Sequence, residues 1–330
     1  MTNTELAEVI RNADMYEIAC KTVHDIALDE NEKEVVASLD EHFRNVGKTG
    51  KDAENEIAAF IQRVITDELY NTPEEILDTI FDRGTIGEFD SFEGVVTDKN
   101  GLIAHEAAKG GSVERSFIDP TIIAPKFRNL QIDTEITYKD LARNGWKSVA
   151  KITEYAIQAL KDKMFAAILG DIDDGITYGS DNYIAAGGSA VTAAAADALA
   201  VYVNDRADIG NGLIMGKSAY IQQMSKLNGF ASDSMKDEVN RYGYLGRYDG
   251  IPMRPISSAK KMGNGAAVVP DQRVFGFAGK IGELDMQGEV KVYQDSNNSK
   301  ETVNIYIKDF TFGYALYKTA FEDIAKIVLS

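Results

Sequence analysis

The sequence predicts an α+β protein organised around one long helix. Three observations carry this. The first quarter of the chain repeats apolar residues at helical spacing under a heavy acidic load. A single amphipathic stretch opening at Trp146 runs longer than any other. The C-terminal region alternates apolar and polar residues with a period of two.

Composition sets the limits. At 330 residues and 44% hydrophobic content the chain can bury more than one packed module. Apolar runs are short and interrupted, so no membrane-spanning helix is expected. The opening Met1-Thr2-Asn3-Thr4-Glu5 has no basic region followed by an apolar core, so no secretory signal is expected. The single cysteine, Cys20, cannot form an internal disulfide and points to synthesis in the cytoplasm. Together with His24, His42 and His105 it gives no zinc-type spacing. Residues 1–93 hold 8 Lys+Arg against 23 Asp+Glu, so they carry −15 of the total charge of −17. Neither part offers the concentrated basic patch that grips a nucleic-acid backbone.

Residues 4–70 read as amphipathic helices. Leu6, Ile10, Met15, Ile18 and Ala19 fall at helical spacing, then Val35, Val36, Leu39 and Phe43, then Ala58, Ile61, Val64, Ile65 and Leu69. Breaks are expected at 29–34 and 47–50. Isolated helices of this length are marginal in water, so they should pack on their own subunit or on a neighbour. Removing residues 1–70 should then leave a folded body that assembles poorly or irregularly. Asn71-Thr72-Pro73-Glu74-Glu75 reads as a helix start, with a Thr cap, Pro in the first position and acids in the first turn.

Glycines at 84, 87, 94, 101, 110 and 111 then punctuate short β-type runs. Asn100-Gly101 between Val95-Val96 and Leu102-Ile103 is a hairpin turn signal. This polar excursion of roughly forty residues exceeds an ordinary connection and is expected to be functional. Ala107-Ala108-Lys109-Gly110-Gly111 predicts a mobile tip.

Residues 126–138 alternate through Phe127, Leu130, Ile132 and Ile136, a strand. Trp146 opens the long helix, with Val149, Ile152, Tyr155, Ala156, Leu160, Met164, Phe165, Ile168 and Leu169 marking one wide apolar face as far as Gly170. That is a rod of roughly 40 Å. Asp171-Ile172-Asp173-Asp174-Gly175 invites a calcium reading. Its spacing fails the twelve-residue loop and no terminal Glu follows, so a helix-ending polar turn is expected. Asp173→Asn or Asp174→Asn should then leave assembly intact.

Residues 185–205 read as an alanine-rich helix. Asn211-Gly212-Leu213-Ile214-Met215-Gly216 is a buried strand, and Lys217-Ser218-Ala219-Tyr220-Ile221 opens a helix. Ala266-Ala267-Val268-Val269, Val274-Phe275-Gly276-Phe277 and Val290-Lys291-Val292 read as strands. Helix and strand alternate, so 178–290 is a mixed α/β module. Val303, Ile305 and Ile307 mark a strand with one buried face, and 310–317 a second. Ile324, Ile327, Val328 and Leu329 build the end of the chain into a sheet.

The motifs of common enzymes are missing. No phosphate-cradling loop occurs, and Gly110-Gly111 and Gly187-Gly188 lack the dinucleotide fingerprint. No nucleophile elbow occurs, and no histidine follows Ser189. Tyr242, Tyr244 and Tyr248 suit packing or subunit contact. No catalytic, cofactor-binding or metal-binding residue is assigned, no cofactor is expected, and enzymatic activity is not expected.

The order of parts resembles the major capsid protein of tailed bacteriophages, the Hong Kong 97-type fold. Ile123-Ala124-Pro125-Lys126-Phe127-Arg128-Asn129-Leu130-Gln131-Ile132 carries the resemblance, leading through Leu141-Ala142 into the long helix ending Phe165-Ala166-Ala167-Ile168-Leu169-Gly170. Gly246-Arg247-Tyr248-Asp249-Gly250-Ile251-Pro252-Met253 and residues 303–325 add to it. The likeness covers most of 73–330 and is architectural.

It implies an acidic helical N-terminal arm (1–72) and a peripheral domain around a spine helix (73–84, 126–177 and 291–330). It also implies an extended β-hairpin loop (85–125) and an axial α/β domain (178–290). Many copies, as hexamers and pentamers, would tile an icosahedral virion shell. The shell would enclose a double-stranded DNA phage genome without sequence-specific binding. Scaffold, portal and decoration proteins are the candidate partners, and no membrane is involved. The Lys–Asn crosslinking residues of some family members have no match here. Two other readings stand beside this one: an encapsulin-type nanocompartment shell, and a soluble α/β enzyme with no recognisable motif.

Overall fold

Helix and strand boundaries come from a computed structural model, which describes residues 14–49, 56–71, 75–90, 95–97, 120–122, 125–207, 212–227, 233–297, 299–317 and 320–330. The chain begins with α1 (Met15–Val23), α2 (Glu30–Thr49) and α3 (Glu56–Thr66), which continues into a π-helical turn, Asp67–Asn71. A short helix α4 (Glu75–Ile80) runs straight into β1 (Phe81–Ile86). β2 (Val95–Thr97) and β3 (Pro120–Ile122) pair antiparallel. The hairpin tip expected at Asn100-Gly101 lies outside the described residues, as does the Thr72-Pro73 helix start. Then come β4 (Lys126–Thr137), α5 (Tyr138–Asn144) and the spine helix α6 (Trp146–Gly175). The next part holds β5 (Tyr183–Ala185), α7 (Ala193–Arg206), β6 (Leu213–Lys217), α8 (Ser218–Leu227), α9 (Asp233–Tyr242), β7 (Arg247–Tyr248), β8 (Ile251–Ile256) and β9 (Arg273–Phe277). The chain closes with β10 (Gly282–Gln287), β11 (Lys291–Asn297), β12 (Thr302–Leu316) and β13 (Ile324–Val328).

The spine is 30 residues long, roughly 45 Å. Its start is fixed from two sides. Thr137 caps α5, its hydroxyl accepting from the Asp140 N–H at 3.0 Å. α5 then ends at Gly145, whose φ of +51° suits a residue without a side chain. The spine has no side-chain cap of its own; Asp40 of α2 supplies one, accepting from the Trp146 N–H at 3.1 Å. The N-terminal helices therefore pack on their own subunit. Leu39, Phe43, Ile57, Phe60 and Ile61 share one buried cluster with Trp146, Val149 and Ile157 of the spine. Phe60 meets the Trp146 ring edge-on at 5.2 Å, and Phe43 stacks on it at 6.2 Å.

The first sheet has five strands. β12 pairs with β11 and β10 along one side and with β4 along its whole length on the other; β1 adds parallel to β10. The two C-terminal segments expected as separate strands are one 15-residue strand. Val303, Ile305 and Ile307 are buried at odd positions, then Phe310, Phe312 and Tyr314 at even ones. A bulge between Ile307 and Phe310, with Asp309 at φ +63°, absorbs the change of parity and keeps one face buried throughout.

The second sheet has six strands in the order β5-β13-β9-β6-β8-β7. One face, with Ile214, Val274, Ala325 and Ile327, packs against Leu199 and Val203 of α7 and Ile221 of α8. The other face, with Leu213, Met215, Phe275 and Phe277, joins the core around the spine. Burial on both faces explains why β6 and β9 read as unbroken apolar runs.

Several expectations are corrected. The break at 29–34 falls earlier, because α2 already begins at Glu30. Gly47 is inside α2, where a Cβ would sit 2.4 Å from the Ala142 backbone nitrogen; the glycine permits a close helix crossing. Ala266-Ala267-Val268-Val269 forms only an isolated bridge between Lys261 and Ala267, although Val268 and Val269 are buried. The long helix passes Gly170 and ends at Gly175, and Tyr155, expected on its apolar face, is exposed. Sheet membership cuts across position 290: β10 belongs to the first sheet and β13 to the second.

Candidate assembly surfaces

The acidic run 171–174 is not a turn. It is the last turn of the spine, where carboxylates oppose the helix dipole and no basic residue of the helix compensates. The compensation comes from both sheets. Asp171 accepts from Arg128 Nη2 at 2.8 and 2.9 Å, from Lys126 Nζ at 3.3 Å, and from the Tyr314 hydroxyl, all on β4 and β12 of the first sheet. Asp173 Oδ1 accepts from Lys326 Nζ at 2.6 Å and from Arg273 Nε at 3.1 Å, on β13 and β9 of the second sheet. Two residues along a helix differ by roughly 200°. The same short stretch therefore faces the two sheets on opposite sides and fixes them to one rod. Lys326 is 4% exposed, and its ammonium also donates to the Asp173 carbonyl at 2.7 Å. Asp174 is exposed.

The other singled-out residues separate. Tyr248 is buried and its hydroxyl donates to Asp197 at 2.7 Å; Tyr244 packs against the second core; Tyr242 is exposed. Ser189 is exposed. His24 Nε2 lies 2.7 Å from Glu154 Oε1, His42 meets Phe43 edge-on, and His105 lies outside the described residues. Cys20 is a free thiol beside Tyr16; burial raises its pKa. Among the described residues no three His, Cys, Asp or Glu side chains gather as a metal site, and no helix is long and apolar enough to cross a membrane.

What the surface offers instead is contact area. Phe89, in the turn that follows β1, is 94% exposed, and Tyr178, just past the spine, is 84% exposed. β4 pairs only with β12 among the described strands, so one edge of a twelve-residue strand is unpaired there. On the outward face of the first sheet, Gly84, Asp285, Gly313 and Phe127 lie in register across β1, β10, β12 and β4. Phe127 covers Gly313, and the Asp285 carboxylate fills the space over Gly84.

Burial and the neighbouring Glu283 push Asp285 up to about 6. Burial and Asp82 raise Glu283 in turn. Burial works against Asp82 as well, yet hydrogen bonds from Lys280 and Tyr317 hold its carboxyl below the usual range. This carboxylate row was missed in the sequence, because β1 and β10 lie some two hundred residues apart.

This arrangement of a spine rod, two sheets and a hairpin base is that of a phage-type capsid protein. A structure from Gordonia phage Cozz is similar at 13% identity, covering 78% of this chain and 87% of that chain with a TM-score of 0.54. The capsid of an empty GTA particle is similar at 14% identity, covering 77% and 89%, with a TM-score of 0.52. The procapsid of satellite phage P4 with its size determination (Sid) protein gives 11%, 87%, 96% and 0.50. No curated protein matches the chain in sequence. Residues 5–319 match the family described as "SPbeta prophage-derived putative capsid protein YonB", and the chain belongs to that family. The family and the fold are those of a structural shell protein.

Proposed function

We propose that this chain is the major subunit of an icosahedral phage shell, tiling as hexamers and pentamers around a double-stranded DNA genome. The observation that carries the reading is the capsid-family match over residues 5–319. The outline of the structure supports it: exposed Phe89 and Tyr178 and the edge of β4 left unpaired among the described strands are surfaces that a second copy can bury. In this reading the spine, with β4, β11, β12 and most of β1 of the first sheet, forms the peripheral domain (73–84, 126–177 and 291–330), and β10 is lent to that sheet from 178–290. The second sheet with α7 to α9 forms the axial domain (178–290), borrowing β13 from the end of the chain. Residues 85–125 form the loop that crosses to a neighbour, and 1–72 the acidic N-terminal arm.

The subunit is made in the host cytoplasm and performs no catalysis. DNA is enclosed without sequence-specific contact, in keeping with a chain of net charge −17. Scaffold, portal and decoration proteins are its further partners. Velocity sedimentation of the full chain beside a deletion of residues 98–111 tests the reading. The full chain should sediment as large closed particles. The deletion should keep the same far-UV spectrum and remain small. A deletion that assembles normally would remove the loop from the assembly mechanism.

A further inference from the structure

We propose that the cavity between α1, the spine and the 256–268 segment is a binding site for a primary ammonium on a short aliphatic stem. The cavity has a volume of about 290 Å³, and its walls include Tyr16, Glu154, Gln158, Met164, Phe165 and Ile256. Glu154 is 6% exposed. Its Oε1 lies 2.7 Å from His24 Nε2, while its Oε2 is buried with no hydrogen-bond partner. Buried polar atoms are nearly always paired, and an unpaired carboxylate oxygen is among the costliest exceptions.

The other charges of the walls are matched. Lys161 Nζ lies 2.6 Å from Glu68 Oε1, and Lys260 Nζ lies 2.6 Å from Asp162 Oδ1. Glu154 is thus the wall charge that lacks a full complement of donors, and an ammonium supplies both the donors and the countercharge. Met164, Phe165 and Ile256 offer the apolar surface along which a methylene stem lies while its head reaches a polar group. The ammonium can come from a free small amine or from a lysine of a neighbouring copy. Both present the same chemistry to Glu154.

Titration of the full-length protein with pentan-1-amine hydrochloride at neutral pH, followed by calorimetry and ligand-observed NMR, tests the site. One molecule should bind per chain, and the neutral analogue pentan-1-ol should bind at least tenfold more weakly. Glu154→Gln should weaken amine binding at least tenfold. Ile256→Trp, which fills the cavity from the opposite wall and leaves Glu154 in place, should abolish it; circular dichroism checks that each variant is folded. No binding to the wild type would overturn the proposal. So would equal binding by either folded variant, since ordered water would then suffice for Oε2. Repeating the titration on assembled particles separates the two sources. Retained binding assigns the site to a free amine, and binding confined to unassembled subunits assigns it to a neighbour's lysine.

Discussion

Asp40 Oδ1 accepts the Trp146 backbone N–H at 3.1 Å, so a residue of the acidic N-terminal region caps the longest helix of the molecule. Asp40 is held in turn by Arg44 Nε at 2.6 Å. Asp40→Ala removes the cap and should cost about 1 kcal/mol, read as a lower urea midpoint at unchanged slope. The same packing corrects the expectation that residues 1–70 can be removed from a folded body. Their loss would bare Trp146, Val149 and Ile157. The truncated chain should show a weakened near-UV spectrum and bind a hydrophobic dye. A sharp, native-like unfolding transition in the truncated chain would show that the core does not depend on these helices.

Gly47→Ala should reverse the usual sign. In an open helix interior this change stabilises by roughly 1 kcal/mol. Here the new Cβ would meet the Ala142 nitrogen at 2.4 Å and the Leu141 carbonyl carbon at 2.8 Å. Both are backbone atoms that cannot step aside, so α2 and α5 must separate. A fall in melting temperature is expected, and a rise would show that the crossing has slack.

Asp173→Asn should destabilise the folded subunit. It leaves the Lys326 ammonium, 4% exposed, without its carboxylate. Breaking such a pair from one side costs roughly 3 kcal/mol. Lys326→Met together with Asp173→Asn should recover much of that loss, because the buried ammonium is gone, while the more exposed Arg273 guanidinium still loses its carboxylate. Asp174→Asn, at an exposed position, should change little. Urea unfolding of the wild type, Asp173→Asn, Lys326→Met and the double variant reads the coupling.

Asp285 gives a pH dependence of unusual sign. Its folded value, about 6, lies above the unfolded one, so the folded state binds the proton more tightly. Its contribution to stability is fully present below about pH 4 and is lost as pH rises through about 6. Asp285→Asn should therefore stabilise at pH 8 and do almost nothing at pH 4. Because the group is partly exposed, solvent screening limits the gain to about 1 kcal/mol. An equal gain at both pH values would place the effect outside the ionisation of Asp285.

Much of this fold was legible in the sequence because its signals are local. The wide apolar face after Trp146 and the alternation at Val303, Ile305 and Ile307 each need only a few turns of chain to be read. What escaped depends on distant partners. The change of parity at Asp309 looked like the end of one strand, because a bulge is visible only against β4. The run 171–174 looked like a turn, because its cations sit at Lys126, Arg128, Arg273 and Lys326. Acids at a helix C-terminus are themselves a signal that cations must come from elsewhere. The exposure of Phe89 and Tyr178 could not be read from residue type, since isolated aromatics in a sequence usually mark a core.

Electron microscopy of the purified full-length protein, concentrated from dilute solution, tests the central claim most directly. A shell subunit should yield uniform closed particles. In their reconstruction the spine helix and both sheets should repeat in rings of five and six, with Phe89 and Tyr178 buried between copies. A monodisperse monomer at every concentration and ionic strength, with those two aromatics still open to solvent, would contradict it.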